Sequence, residues 1–307
     1  MNKSCSRPCR ETWLFGLLWL ISLQPSFAEE PIRIEVSCAA TYSIGEPLLM
    51  LVTATNVSPE VQPIIDLAGG WADMSFLNFE IQGPRSTRNR PYTAGADRHG
   101  NQAGMPIALA AGEASIGEFD ISKYSITVEQ GTNTVAAIYR LVDKQGTSHQ
   151  IKSTPVSFDL RAPDPEDAEV MGLLKWEHSA GGLKMDATDD YFYTQLGYEQ
   201  KYLAVLRDHP NSTLAKYAAF YLARYYSAKG RGKDATPILK RLTEAQEEFP
   251  LTDDALLLLA NDYLAEPGEH EKAQMVLEKL VSKFSKGNCA RDARRKLDEL
   301  KGKKNKE

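Results

Sequence analysis

Five histidines and two Asp-Asp pairs are among the residues through which this 307-residue sequence could hold a metal or move a proton. The histidines are His99, His149, His178, His209 and His270, and no two share the four-residue helical spacing of an HExxH site. His270 falls at a helix start with no nucleophile or base beside it, and His209, before Pro210, ends a helix. Asp189-Asp190 and Asp253-Asp254 lack the Asp-x-Asp-x-Asp-Gly spacing of a calcium loop. They read as solvated charges at helix starts, where carboxylates suit the helix dipole. Neither a Gly-x-Ser-x-Gly elbow nor a Gly-rich loop ending in Lys-Ser or Lys-Thr occurs. The expectation is a protein that is not an enzyme and needs no cofactor or metal.

The cysteines point the same way. Of four, Cys5 and Cys9 precede an apolar run, leaving Cys38 and Cys289. No CxxC occurs, so a structural zinc site is not expected. Cys38 has the parity of Ile32, Ile34 and Val36, which places it toward a core as a small hydrophobe. A Cys38–Cys289 disulfide would tie the first strand to the last helix; two isolated thiols are the other reading, and the Cα separation decides.

The first 28 residues have the pattern of a secretory signal peptide. Lys3, Arg7 and Arg10 precede the apolar run Trp13–Leu23, and Ser26-Phe27-Ala28 supplies a cleavage point. The run is shorter than the roughly 20 apolar residues of a membrane-spanning helix. Cleavage would remove three basic residues and one acidic one, taking the net charge from −5 to −7. That acidity argues against a general nucleic-acid binder. The mature protein is expected to be exported, periplasmic or secreted, with no membrane span.

Two halves differ in period. Residues 29–162 read as strands: Ile32–Val36 alternates apolar and polar, and Leu48–Thr55 is a continuous apolar run. Further strands are expected at Ser75–Ile81, Pro106–Ala110, Tyr124–Val128, Thr134–Val142 and Pro155–Leu160, separated by Gly-containing turns. This pattern predicts an all-β, antiparallel sandwich. Its order, with GEPLLMLVTATN near the start, ALAAGE in the middle and QGTNTVAAIYR before the last strand, resembles immunoglobulin-like modules of secreted bacterial proteins. The resemblance carries no activity.

Two features of this half could contact a ligand. Residues 83–104 form a polar, locally basic stretch with Arg85, Arg88, Arg90 and Arg98 and a stacking ring in Tyr92. An exposed insertion between strands is the plain reading, and an anion- or glycan-contacting loop the sharper one. Trp71, behind Gly69-Gly70, either packs over the sheet edge or faces a partner.

Arg161–Pro165 reads as a linker, its two prolines blocking strand pairing. Residues 163–301 then take a helical period and repeat. Leu222-Ala223, Tyr226, Ala235, Leu239 and Leu242 recur as Leu259-Ala260, Tyr263, Ala273, Leu277 and Leu280. Turns at Lys229–Gly232 and Glu266–Glu269 divide each unit into two helices. A half-unit at Gln195–Asp208 precedes them and a third start follows at Asn288–Leu300. The spacing resembles the tetratricopeptide repeat, in the lengthened form of periplasmic outer-membrane-assembly lipoproteins. Residues 302–307 read as a basic, disordered tail.

The resemblance implies an all-α solenoid behind the β-sandwich, whose first helices line a concave protein-binding face. Lys216, Tyr217, Phe220, Arg224, Leu257, Asn261 and Asp262 are the contacts expected there. The expected function is therefore an exported, non-enzymatic adaptor or scaffold for a protein partner. The alternative is a carbohydrate- or cell-envelope-binding module that uses the β half.

Overall fold

A computed structural model describes residues 30–67, 76–84, 90–92, 106–123, 128–142, 146–174, 178–179, 182–183, 198–245, 249–287 and 289–304. The expected signal peptide, Trp71, Arg85, Arg88, Arg98, Asp189-Asp190 and residues 124–127 lie outside them. Among the described residues, no helix is long and apolar enough to cross a membrane.

The chain is mixed in secondary structure, with sheets first and helices after. Strands β1 (Ile32–Cys38), β3 (Leu49–Asn56) and β8 (Ala114–Asp120) form one antiparallel sheet in the order β1-β3-β8. β1 alternates buried and exposed as its sequence requires, with Ile32, Ile34 and Val36 inward. A larger sheet runs β2 (Thr41–Ser43), β11 (Val156–Arg161), β9 (Gly131–Val142), β5 (Leu77–Gln82) and β6 (Arg90–Tyr92), with β10 (Ser148–Lys152) also on β9. β4 (Gln62–Ile65) pairs with β7 (Pro106–Leu109). Both main sheets send side chains into one core, Ile34 and Val52 from the first and Phe79, Val135 and Phe158 from the second.

Three findings depart from the sequence expectation. The pairing is not wholly antiparallel: β2 runs parallel to β11. The chain leaves the first sheet after Cys38, and the Tyr42 hydroxyl, accepting from the Ala39 N–H at 3.1 Å and donating to the Leu49 carbonyl at 2.7 Å, holds the crossing. The polar stretch at 83–104 is not wholly loop, since β6 pairs Arg90 with Ile81 and Tyr92 with Phe79. It carries Pro91 on the edge strand of the sheet, the position at which proline is tolerated. Strand β8 is a strand that periodicity missed. Its core-facing residues are Ser115, Gly117 and Phe119, of which only one is large and apolar. A Cβ on Gly117 would lie 2.3 Å from the Leu67 carbonyl oxygen, so the close-lying Asp66-Leu67 segment dictates glycine there.

Among the described residues seven helices follow: α1 (Pro165–Leu174), α2 (Tyr198–Asp208), α3 (Thr213–Ala228), α4 (Gly232–Glu244), α5 (Thr252–Ala265), α6 (His270–Lys283) and α7 (Ala290–Lys304). A two-residue strand pair, His178–Ser179 with Gly182–Leu183, lies between α1 and α2. α7 continues to Lys304, into the segment expected as tail. Each helix packs on the next in chain order, and α3 also touches α1 and α5. Every repeated position is buried, from Leu222, Ala223 and Tyr226 to Leu277 and Leu280. Gly230 (φ +69°) and Gly268 (φ +85°) turn the two hairpins in the left-handed region that glycine tolerates.

The halves meet within one compact unit, Pro31–Glu307. Ile44 packs against both the β core and the helical core, and Leu49 reaches the helical one. At the other end of the contact, Arg291 of α7 forms an ion pair with Asp66.

Candidate functional site

The residues expected on a partner-binding face separate by burial. Tyr217 is 1% exposed and Phe220 6%, both packed on Phe249 with ring centroids 5.1 and 6.2 Å away. They are core rather than contact residues, because α3 is surrounded by α1, α2, α4 and α5. Asp262 is buried too and accepts the Ser227 hydroxyl at 2.8 Å, joining α5 to α3. Lys216, Arg224, Leu257 and Asn261 are half-buried. Arg90 and Tyr92 are placed by backbone pairing in β6.

Tyr217 shows what occupies the face. Burial pushes its phenol pKa up, and next in effect are Glu46, Tyr42, Asp120 and Glu118, all from the β half. Its hydroxyl is buried without a hydrogen-bond partner, as is Asp120 Oδ2. Glu46 accepts from the Ser43 N–H at 2.5 Å, and burial, with Asp167 nearby, raises its pKa. Asp167 is buried and takes the Ser212 hydroxyl at 2.5 Å, locking α1 to the start of α3. The chain's own β half thus covers the first part of α3.

A second polar cluster is built on residues whose sequence pattern predicts only helix-start charge. Asp253 and Asp254 open α5 beside Cys289, which precedes α7. One carboxylate oxygen from each Asp and the thiol sulfur lie within 4.8 Å of one another. Asp253 is buried and accepts the backbone N–H of Cys289, yet burial still raises its pKa. Asp254 is half-buried as a residue, but its Oδ2 is sealed from solvent and unpartnered. Burial and then the neighbouring Asp253 push its pKa up to about 7, against the opposing pull of the Cys289 thiol and Arg224. The Cys289 sulfur sits 3.6 Å from Asp254 Oδ1, and burial followed by the two carboxylates pushes the thiol up. Gly287 closes the cluster, since a Cβ there would stand 2.8 Å from Asp253 Oδ2.

This arrangement also answers the cysteine question. Cys38 and Cys289 are both free, one half-buried at the end of β1 and the other buried against Asp254. A signal for the cluster exists in the sequence only as separated fragments, Asp253-Asp254 and Cys289, 35 residues apart.

No family model and no curated protein matches the sequence. Solved structures share limited parts of it. A β-glucosidase from Listeria innocua in complex with glucose is similar over 42% of this chain and 16% of its own, at 17% identity and a TM-score of 0.26. The CARDB domain of a Pyrococcus furiosus protein, in complex with di-metal ions, matches 43% of this chain and 86% of its own, at 10% identity and a TM-score of 0.24. An alkylpurine DNA glycosylase from Pseudomonas fluorescens, bound to DNA containing an abasic site analog, matches 44% of this chain and 32% of its own, at 16% identity and a TM-score of 0.25. The chain spans about a sixth of the glucosidase, and likenesses at these scores identify neither a fold family nor an activity.

Proposed function

We propose that this chain is an exported, non-enzymatic adaptor that binds a protein partner through a tetratricopeptide-like helical array buttressed by an immunoglobulin-like β half. The observation that carries this reading is the burial of the repeated positions in both units, with consecutive helices packed in order. The leader-like first 28 residues support export.

The proposed binding surface uses only part of the expected set of residues. The start of α3 rests on the β half, so Tyr217 and Phe220 stiffen the scaffold. Contact with the partner falls to Lys216, Arg224, Leu257 and Asn261, which keep part of their surface in solvent. Leu257, half-buried at the margin of an apolar cluster, offers apolar area for desolvation, and Arg supplies directional hydrogen bonds.

Crosslinking the full chain in its native envelope tests this. The wild type should yield a defined protein adduct that Leu257→Glu with Asn261→Lys abolishes while the melting temperature stays within a few degrees. An adduct indifferent to these changes, or retention on envelope polysaccharide in place of any protein adduct, would overturn the reading.

A further inference from the structure

The cluster formed by Asp253, Asp254 and Cys289 borders the surface assigned to a partner, since Leu257 packs on the apolar residues around Cys289, but its chemistry is different. We propose that these three side chains form a divalent-cation site of the zinc class, which clamps the start of α5 to the start of α7. The donors are two carboxylates and one thiol, drawn from segments 35 residues apart, and all lie within 4.8 Å of one another. Zinc accepts this mixed oxygen and sulfur set, whereas calcium and magnesium take oxygen alone.

The spacing suits the ion. A tetrahedral zinc with Zn–S of about 2.3 Å and Zn–O of about 2.0 Å sets sulfur and oxygen about 3.5 Å apart. Cys289 Sγ and Asp254 Oδ1 are 3.6 Å apart. Asp254 Oδ2, sealed from solvent and lacking a hydrogen-bond partner, supplies a further lone pair at the same place. An orphaned buried carboxylate oxygen costs free energy that a cation would recover.

The surroundings hold the donors in place. Asp253 is fixed by the backbone N–H of Cys289, and Gly287 admits its carboxylate at a distance that any side chain would obstruct. Leu256, Leu280, Ala293 and Leu297 form the apolar packing around Cys289. A dry wall of this kind strengthens ion–ligand attraction. Binding would displace the thiol proton, with Cys289 ligating as thiolate. Three protein donors leave a fourth tetrahedral position for water or another ligand.

The test uses the full-length protein stripped of metal with a chelator and titrated with Zn2+ and, separately, Co2+. We expect one Zn2+ per chain, a thiolate-to-cobalt charge-transfer band in the near ultraviolet, and a rise in melting temperature on adding Zn2+. Replacing an outer-shell partner of a metal typically costs 10- to 100-fold in affinity, so removing a ligand should cost about 100-fold or more. Asp254→Asn and Cys289→Ala should both do so, and Cys289→Ala should abolish the band. Circular dichroism of each variant without metal confirms that it folds. Zn2+ stoichiometry and melting shift left unchanged by Asp254→Asn and Cys289→Ala, or a cobalt complex without a thiolate band, would overturn the proposal. If Cys289→Ala fails to fold, Asp254→Asn with the band measurement decides alone.

Discussion

A Cβ placed on Gly45 would stand 2.9 Å from the sulfur of Met171, so the turn between β2 and β3 presses its bare backbone onto α1. The same Cβ would meet Leu214 Cδ1 of α3 at 3.2 Å. This contact seats the β half on the helices and requires the backbone to have φ +110°, which side-chain-bearing residues rarely adopt.

Gly45→Ala should therefore cost about 2 kcal/mol, from backbone strain and crowding together. Urea unfolding of the full chain measures it. Met171→Ala, a buried truncation that is costly by itself, should cost less in the Gly45→Ala background than in the wild type, because the two changes share one contact and are not additive. Full additivity would show that the sulfur is not what the Cβ meets.

Tyr217 gives a prediction of opposite sign. Its hydroxyl is buried without a partner, so Tyr217→Phe should keep the ring packing and raise stability by about 1 kcal/mol. Tyr217→Ala should lose about 3–5 kcal/mol by opening a cavity against Phe249. Thermal unfolding of the pair distinguishes a core residue from a binding residue, which would leave stability unmoved in both.

Glu46 should leave a pH signature. Burial raises its folded-state pKa, so the protein holds this proton more tightly when folded. Its contribution to stability is complete below the ordinary carboxylate value and is lost as pH rises from there through the raised value. Asp253, Asp254 and Asp262 shift in the same direction, and their contributions add to the slope. Glu46→Gln keeps the acceptor for Ser43 and should flatten the fall, as denaturation curves taken across the acid range would show. An unchanged slope would mean that Glu46 is solvated.

Gly117→Ala should be strongly damaging although it adds only one methyl group. Its Cβ would reach within 2.3 Å of the Leu67 carbonyl, which belongs to the backbone and cannot swing away. The neighbouring bonds, Leu67 N–H to Ser115 Oγ at 2.9 Å and Ser115 Oγ to Asp66 Oδ1 at 2.8 Å, would be strained with it. A loss of about 3 kcal/mol or more is expected. Soluble yield and melting temperature report it, and a wild-type melting temperature would refute the close approach.

Local pattern was enough wherever one element carries its own periodicity. Ile32, Ile34 and Val36 announce the inner face of β1, and the recurring Ala, Tyr and Leu positions announce the hairpins from α3 to α6. Such patterns are legible because pleat and helical turn repeat within the segment itself. β8 is silent by the same logic, since its inner face is cut down to Ser115 and Gly117 by a segment distant in sequence.

The sequence by itself determined the strand-then-helix order, the repeat and its buried positions, and the want of a motif for catalysis. Only the tertiary structure decided that Tyr217 and Phe220 face inward, that Cys38 and Cys289 remain free, and that Asp253, Asp254 and Cys289 converge. The reason is physical. Periodicity states that a helix has an apolar face, but what covers that face, and which polar groups are trapped beneath it, depends on how separately specified elements pack.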